Sequence, residues 1–438
     1  MLLSADVRIE KLSELRAPEE GQVLQKLHYD GETKPHKVST INLDYLIYNR
    51  HNGRLEAEML TWEEQNAASP EEYDQDLHEL IEDLLWQSAV QRNKATLEDI
   101  KDKGQQRPGI VSLDGVIIDG NRRAMLLRRL EKTTGIKQHF DAIILPHAYA
   151  DNQEAIVRLE TQYQLGEDAK VEYGALQKYL HVRRLHVDLG IPKDQIDKLM
   201  NEKRGNAERL LQIMELMDEY LIHIGAPRLY TMLKDGDASK EGMFVDLHGD
   251  LNRINGGKHK IPWVFDPELE PLQLKLIQFD YIRLGELADA KKAYREISHQ
   301  GGGNNFFAKQ DIWENFRDTH QASVDPITSA QGSLDEFIRD RPDEYETKVD
   351  AARARDKQWS ASVGPTMKSN FGRSSYSLDL ATRELKPSEY LRRAKELLEK
   401  IDLDGEALLS GPENLAMAMD INRLTYAMKK RFDRSGQS

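Results

Sequence analysis

The chain contains no cysteine among its 438 residues. This absence excludes disulfide bonds, thiolate metal sites and cysteine nucleophiles. The sequence also has no apolar run approaching the roughly 18–20 residues that a membrane helix needs, so we expect no membrane partner. Its first residues, MLLSADVRIEKLSELR, lack the apolar core of a secretory signal. Together these absences predict a cytoplasmic protein.

Positively charged residues are fewer than negatively charged ones. The chain carries 61 Lys and Arg against 75 Asp and Glu, a formal net charge of −14. This balance argues against a protein that coats DNA non-specifically, because neutralising phosphates requires clustered Lys and Arg. Any contact with nucleic acid must therefore be local. The hydrophobic content of 39% and the charged content of 31% are typical of a soluble globular protein, and the length predicts roughly two to four domains.

The most informative segment is 96–130. It predicts a helix, then a strand pair around an Asp114–Gly115 turn, then a basic helix that begins after Gly120. The predicted strands are Ile110–Val111 and Val116–Ile118. Asn121, Arg122 and Arg123 open the basic helix. Two guanidiniums and free backbone N–H groups would then share a helix N-terminus, where a phosphate can bind.

Three short blocks follow one another along the chain: Asn49-Arg50-His51-Asn52-Gly53-Arg54, Gly120-Asn121-Arg122-Arg123, and Glu160-Thr161-Gln162-Tyr163-Gln164. They resemble the nucleotide-binding motifs of ParB-type partition proteins, in the ParB/sulfiredoxin-like superfamily. The family patterns are Asn-Pro-x-Gln-Pro-Arg, Gly-Glu-Arg-Arg and Glu-Asn-x-Gln-Arg. The first block lacks both prolines, and the third keeps only its leading Glu160. Sulfiredoxin itself is excluded because its chemistry needs a cysteine.

The resemblance implies a nucleotide site. Its predicted nucleotide-binding residues are Asn49, Arg54, Gly120, Asn121, Arg122, Arg123 and Thr161. Arginine side chains suit this role because their forked guanidinium binds phosphate oxygens bidentately. Glu160 would hold Mg²⁺ and is the candidate catalytic residue. The expected nucleotide is CTP, or ATP, and in ParB-like proteins its binding closes a clamp on DNA.

A helical segment follows the three blocks. Residues 176–213 hold eight Lys and Arg against five Asp and Glu, a local excess of positive charge. Segment 188–216 resembles the helix-turn-helix that follows the nucleotide domain in ParB proteins. The predicted DNA-binding residues are Lys203, Arg204, Asn206 and Arg209, at or near the start of the second helix. Two positions depart from the family: Asp197 stands where a small Ala is preferred, and Asn201 where Gly is usual.

The predicted fold class is α+β. We expect a ParB/sulfiredoxin-like N-terminal domain, then a mostly helical helix-turn-helix domain, then a mostly helical C-terminal region. The predicted boundaries are an N-terminal arm at 1–36, the nucleotide-binding domain at 37–165 with a helical insertion at about 60–95, the helix-turn-helix domain at 166–225, an unassigned mixed but mainly helical region at 226–359, a linker at 360–378 and C-terminal helices at 379–438. The linker prediction rests on Ser, Gly, Asn and Lys content.

Three functions stay open on the sequence. The first is a ParB-like, nucleotide-dependent DNA-binding protein of a prokaryotic plasmid, phage or defence system, with a partner ATPase or defence proteins. It would form a homodimer through its amphipathic C-terminal helices, unless these pack on their own chain. The second is a metal-dependent nuclease or NTP-hydrolysing enzyme of the same fold, with Glu160 and Asp119 as acidic groups. The third is a protein-interaction module with a nucleotide-sensing pocket.

Overall fold

A mixed sheet of six strands lies in the first half of the chain. The strands are β1 (Leu24–Tyr29), β2 (Glu32–Asn42), β3 (Ile47–Tyr48), β4 (Gly109–Val111), β5 (Val116–Asp119) and β6 (His139–Ile144). Their order across the sheet is β1-β2-β6-β4-β5-β3. The pairs β4/β6 and β3/β5 are parallel, and the remaining neighbours are antiparallel. The strand pair predicted around Asp114–Gly115 is confirmed, since β4 and β5 pair antiparallel across this turn.

Helices make up most of the remaining structure. They are α1 (Ala5–Arg16), α2 (Glu56–Asn66), α3 (Gln75–Gln87), α4 (Val90–Lys103), α5 (Asn121–Thr134), α6 (Gln153–Leu165), α7 (Ala175–Arg183), α8 (Lys193–Leu199), α9 (Asn206–His223), α10 (Glu241–Asn255), α11 (Leu269–Leu284), α12 (Gln310–Ala330), α13 (Leu334–Arg339), α14 (Lys348–Thr382), α15 (Pro387–Leu398) and α16 (Pro412–Ser435). A π-helical segment, Arg184–Asp188, follows α7 directly, and Lys234–Asp235 and Ala238–Ser239 pair antiparallel as β7 and β8. This combination of a mixed sheet with many helices is compatible with the predicted α+β class.

The computed structural model describes residues 2–66, 73–165, 175–235, 238–285, 295–299, 304–382, 387–403 and 412–435. The chain divides into two compact units, residues 1–374 and 375–438. The predicted boundaries at 165/166, 225/226 and 359/360 all fall within the first unit. In the part of the chain that the structure describes, no helix is both long enough and apolar enough to cross a bilayer.

Both faces of the sheet are covered by helices. On one face, apolar side chains of α1, α3 and α5 pack on the strands, with Leu12, Ile81 and Met125 fully buried. On the other face, Ile118 of β5 packs with Ile156 of α6. Burying both faces requires apolar side chains on both sides of a strand, which is why the short strands read as runs of Ile and Val. The site residues lie where these layers meet.

The N-terminal region differs from its prediction. Residues 1–36 are not a separate arm, because α1 packs on β2, and β1 with the first part of β2 belongs to the sheet. The single helix predicted in 60–95 is instead the end of α2, all of α3 and the start of α4. Helix α3 buries Leu77, Ile81 and Leu85 in the core of the sheet domain. This segment is therefore part of the core rather than an insertion beside it.

Helix α14 replaces the linker predicted at 360–378. Its side chains Val363, Met367, Asn370 and Ser374 are each buried and recur at helical spacing. The polar composition of this segment misled the prediction, because Asn370 hydrogen-bonds the carbonyl oxygen of Phe316 instead of facing water. Tertiary packing of one helix face here outweighs weak helix propensity.

Candidate functional site

The three sequence blocks meet at Asn49. The backbone N–H of Asn49 donates to Oδ1 of Asn121 over 3.0 Å, a residue 72 positions away. The side-chain Nδ2 of Asn49 donates to Oε1 of Glu160 over 3.1 Å, across 111 positions. Asn49 is 1% exposed, Asn121 5% and Glu160 0%. One residue from each block therefore contributes to a single buried hydrogen-bond network.

Sheet topology explains this meeting. Asn49 directly follows β3, and Gly120 and Asn121 directly follow β5. These strands run parallel, with Tyr48 opposite Ile117, so their carboxyl ends lie at the same edge of the sheet. Helix α6, which carries Glu160, packs on β5. Asn121 is held in place by a second bond, from its Nδ2 to the carbonyl oxygen of Ile117 over 2.9 Å.

Gly120 forms the sharp turn from β5 into α5. Its φ of +103° lies in the region that favours glycine, and an added Cβ would lie 2.6 Å from Cζ of Phe140. We expect Gly120→Ala to lower the free energy of unfolding by at least about 2 kcal/mol, measured by urea denaturation. Gly135→Ala is the matched control, because Gly135 has a φ of +69° but open space around it. Equal losses in both variants would show that the contact with Phe140 contributes nothing.

A buried polar cluster lies beside the three blocks: Glu56, Tyr149, Glu160 and Arg184. Arg184 begins the π-helical segment and is 5% exposed. Its guanidinium donates to the carbonyl oxygen of His51 over 3.0 Å and to the Tyr149 hydroxyl over 2.6 Å. The same guanidinium lies 3.9 Å from Oε2 of Glu160. Burial alone would lower the pKa of Arg184, but electrostatic interactions with Tyr149, Glu160 and Glu56, together with the hydrogen bond to Tyr149, outweigh burial and raise that pKa.

Glu56 is a carboxylate that the sequence did not single out. It lies at the start of α2, two positions after Arg54, and is 8% exposed. Among the described residues, its Oε2 has no hydrogen-bond partner. Burial raises the pKa of Glu56 to about 7, the charge of Glu160 adds to this, and the charge of Arg184 opposes it. Strongly shifted carboxylates of this kind concentrate at functional sites.

His51 and Tyr149 form the half-buried side of the cluster. Their rings stack with 6.2 Å between centroids and 17° between planes. Burial, together with Arg184 and Arg50, lowers the pKa of His51 to about 3, so this imidazole is neutral at physiological pH. Burial raises the pKa of Tyr149 to about 12, so its phenol keeps its proton. Neither ring carries charge into the cluster.

The three predicted phosphate-binding arginines are similarly exposed, and the contacts of Arg123 indicate a structural role. Arg54, Arg122 and Arg123 are all half-buried. Arg123 is engaged by Oδ2 of Asp119 at 2.7 Å and by the carbonyl oxygens of Arg107 and Pro108. This side chain therefore stabilises the turn before β4, which is a structural role that the sequence did not anticipate. Asp119 contributes to the same role, because its carboxylate accepts the hydrogen bond from Arg123.

Thr161 lies in the interior. It is 0% exposed, and its hydroxyl contacts the carbonyl oxygen of Val157 at 2.7 Å and Nε2 of His181 at 2.8 Å. Burial, with the charge of Arg184, lowers the pKa of His181 to about 3. Thr161 thus connects α6 to α7 through a neutral imidazole. Among the described residues, no group of three or more His, Asp or Glu is placed to hold a metal ion.

A helix, a turn and a second helix occur where the sequence predicts them, as α8, residues 200–205 and α9. Asn201 takes a φ of +52°, a conformation that Asn tolerates better than most residues. Both oxygens of Asp197 accept backbone N–H bonds of 2.7 Å at the start of α9, from Gly205 and Ala207. The carboxylate therefore occupies the anion position of this helix N-terminus, which explains why Asp stands there instead of Ala.

The predicted DNA-binding side chains lie at the same end of α9. Lys203, Arg204 and Arg209 are exposed, and Asn206 is half-buried. The neighbouring acids are paired with other cations: Lys178 with Glu202, and Lys193 with Glu208. Exposed positive side chains therefore lie beside paired acids at the start of α9.

Arg184 and Glu56 were missed by sequence reasoning. Arg184 was counted within the basic segment 176–213, where its charge suggested a DNA-facing surface, yet it is buried. No spacing in the sequence predicts that this residue is buried at the start of a π-helical segment. A comparison with protein-family models finds no match, and neither does a comparison with curated proteins.

Proposed function

We propose that this chain is a ParB-like, nucleotide-dependent DNA-binding protein of a prokaryotic plasmid, phage or defence system. The observation that carries the proposal is the meeting of all three blocks at Asn49. Asn121 and Glu160 lie 72 and 111 positions from Asn49 in the sequence, yet both hydrogen-bond to it. Chance matches to unrelated motifs would give no reason for the three blocks to meet. The expected ligand is CTP, or ATP, with Mg²⁺.

The roles of the residues follow from their surroundings. The first turn of α5 presents backbone N–H groups to a phosphate, and half-buried Arg54 and Arg122 supply positive charge. Asn49 and Asn121 keep the three blocks in register from the interior, and Arg123 stabilises the adjacent turn. Mg²⁺ would be held by Glu160 and would neutralise charge on the phosphate oxygens.

Arg184 offers a route from the nucleotide to the DNA-binding helices. It bonds the first block through the carbonyl oxygen of His51 and belongs to the segment between α7 and α8. Helix α7 packs on α9, and the adjacent Arg183 bonds Oδ2 of Asp218 on α9 at 3.4 Å. A ligand that shifts the first block would thereby shift α9. The DNA contacts proposed for α9 are Lys203, Arg204, Asn206 and Arg209.

A second copy of the chain is the proposed partner of α16. Met417, Ile421, Leu424 and Met428 are spaced 4-3-4 along this helix and are each at least 39% exposed. This spacing is symmetric, so an antiparallel pair would place Met417 opposite Met428 and Ile421 opposite Leu424. Glu413 of one helix would then face the basic end, Lys429–Arg431, of the other. A twofold axis suits such a self-complementary surface.

Isothermal titration of the purified chain with CTP, ATP, GTP and UTP in Mg²⁺ tests the proposal. We expect selective binding of CTP, and Arg122→Ala should weaken it at least about tenfold because a charge-assisted phosphate contact is lost. Arg129→Ala is the control on the same helix, since Arg129 pairs with Asp83 at 3.1 Å. Light scattering on the same sample should give twice the chain mass of 50.3 kDa.

Fluorescence anisotropy with duplex DNA completes the test. The double variant Lys203→Ala/Arg204→Ala should weaken binding and reduce its salt dependence, whereas Lys258→Ala/Lys260→Ala, at another exposed pair, should not. DNA cleavage that needs a metal and is lost in Glu160→Ala would replace the proposal with a nuclease. Nucleotide binding without any effect on DNA would replace it with an interaction module. Absence of nucleotide binding would refute it.

A further inference from the structure

The buried position of Glu56 destabilises the folded protein when its carboxylate is ionised. An ionised carboxylate in the interior loses its hydration, and one that accepts no hydrogen bond recovers little of that loss. Within the described residues, Oε2 of Glu56 accepts no hydrogen bond. A glutamine or an apolar side chain would fill the same volume with a smaller loss of stability. Positions that keep a destabilising group are typical of sites whose activity requires it.

Within the described residues, no neighbouring side chain donates a hydrogen bond to Oε2 of Glu56. Arg184 directs its hydrogen bonds to His51 and Tyr149, and it lies nearest to Glu160. Arg183 acts on Glu56 through its charge, but its guanidinium bonds Asp218 and the Tyr230 hydroxyl. The charges of Glu160 and the exposed Asp188 repel the Glu56 carboxylate. His51 and Tyr149 are uncharged at neutral pH.

We propose that Glu56 is a second carboxylate, beside Glu160, that holds the divalent cation of the nucleotide site. This inference rests on the proposed function. Mg²⁺ is bound in proteins through one or two carboxylates, with water and phosphate oxygens completing its shell. Glu160 lies 3.9 Å from the Arg184 guanidinium, and both Glu56 and Glu160 are buried, at 8% and 0% exposed. Glu56 also follows the phosphate-binding block by two positions, so the cation and the phosphate would be neighbours.

None of the three blocks contains Glu56, so a cation ligand outside the recognised patterns completes the site. Its position in the first turn of α2 favours a negative charge, because the N-terminal end of a helix is electropositive. The carboxylate is thereby kept available for a cation despite its burial.

Mn²⁺ binding to the full chain, measured by electron paramagnetic resonance without nucleotide, tests the inference. Mn²⁺ takes the same oxygen ligands as Mg²⁺ and is directly visible. We expect binding by the natural chain, and a loss of about tenfold or more in affinity in both Glu56→Gln and Glu160→Gln. Glu64→Gln is the matched control on the same helix, because Glu64 pairs with Arg228 at 3.2 Å and lies outside the cluster. Its affinity should equal that of the natural chain.

The outcomes separate this inference from the proposed function. If Glu56→Gln binds Mn²⁺ as the natural chain does, or if no variant binds it, the assignment of Glu56 is wrong, whatever the nucleotide titration gives. If Mn²⁺ binding depends on Glu56 and Glu160 while no nucleotide binds, the cation site stands and the proposed function fails. Thermal denaturation of each variant with and without Mn²⁺ gives the independent readout, since a bound ligand stabilises only a chain that retains its site.

Discussion

Glu56→Gln should stabilise the folded protein by up to about 3 kcal/mol at pH 8 in metal-free buffer. In the folded chain the pKa of Glu56 is about 7, against 4.5 for an ordinary glutamate. The folded state therefore binds this proton more tightly than the unfolded state does. The contribution of this carboxyl to stability is largest below pH 4.5, falls as the pH rises between 4.5 and 7, and stays low above 7. Glutamine mimics the protonated form and removes this loss.

Urea denaturation at pH 5 and pH 8, with a chelator present, measures the effect. The stability of Glu56→Gln relative to the natural chain should increase from pH 5 to pH 8, because only the natural chain must ionise this buried carboxyl. Glu64→Gln, on the same helix, should keep the pH dependence of the natural chain because its partner Arg228 lies outside the cluster. Parallel profiles for Glu56→Gln and the natural chain would mean that this carboxyl does not titrate in the window.

The opposite sign is expected for Arg184→Met, which should cost about 3–5 kcal/mol of the free energy of unfolding. Methionine fills much of the volume but removes the guanidinium that lies 3.9 Å from Glu160 and acts on Glu56. Two buried carboxylates then lose a neighbouring positive charge. The carbonyl oxygen of His51 and the Tyr149 hydroxyl also lose a donor.

A second substitution tests the cause of that loss. Adding Glu160→Gln to Arg184→Met removes one of the two negative charges and should recover part of the stability, which a mere packing defect would not permit. Arg158→Met is the surface control: Arg158 pairs with Glu154 at 2.8 Å on the outside of α6 and should cost less than about 1 kcal/mol. Equal losses for Arg184→Met and Arg158→Met would contradict the account of the cluster.

Local patterns were predictable where a single short-range signal dominates. The Asp114–Gly115 turn between apolar pairs predicts the β4–β5 hairpin, which the structure contains. Helix α9 follows its predicted turn in the same way, because the apolar spacing that buries Ala207, Leu210 and Ile213 is local to the helix. The predictions of secondary structure were wrong where tertiary packing outweighs the local amino-acid composition. Helix α14 is the main example, since its polar residues are buried against other helices.

The site was predictable in part. The three blocks named Asn49, Asn121 and Glu160, which share a network. Their physical roles differ from a simple list of phosphate ligands, because all three are buried and bond one another. Arg123 stabilises a turn through Asp119, and Thr161 bonds His181. Glu56 could not be found from the sequence, because its burial, and the lack of a hydrogen-bond donor to Oε2 among the described residues, depend on what surrounds it in the fold.

The sequence alone determined which chemistry is absent and which local elements can form. It excluded thiol chemistry through the lack of cysteine, and it placed Gly120 where a strand turns into a helix. Tertiary structure decided which of these groups meet. The parallel pairing of β3 with β5 brings Asn49 to Asn121, and Arg184, at the start of the π-helical segment after α7, lies buried 3.9 Å from Glu160. The physical reason is range: turns and helix spacing depend on neighbours in the chain, whereas burial and charge pairing depend on residues far apart in the sequence, such as Asn49 with Glu160 and His51 with Arg184.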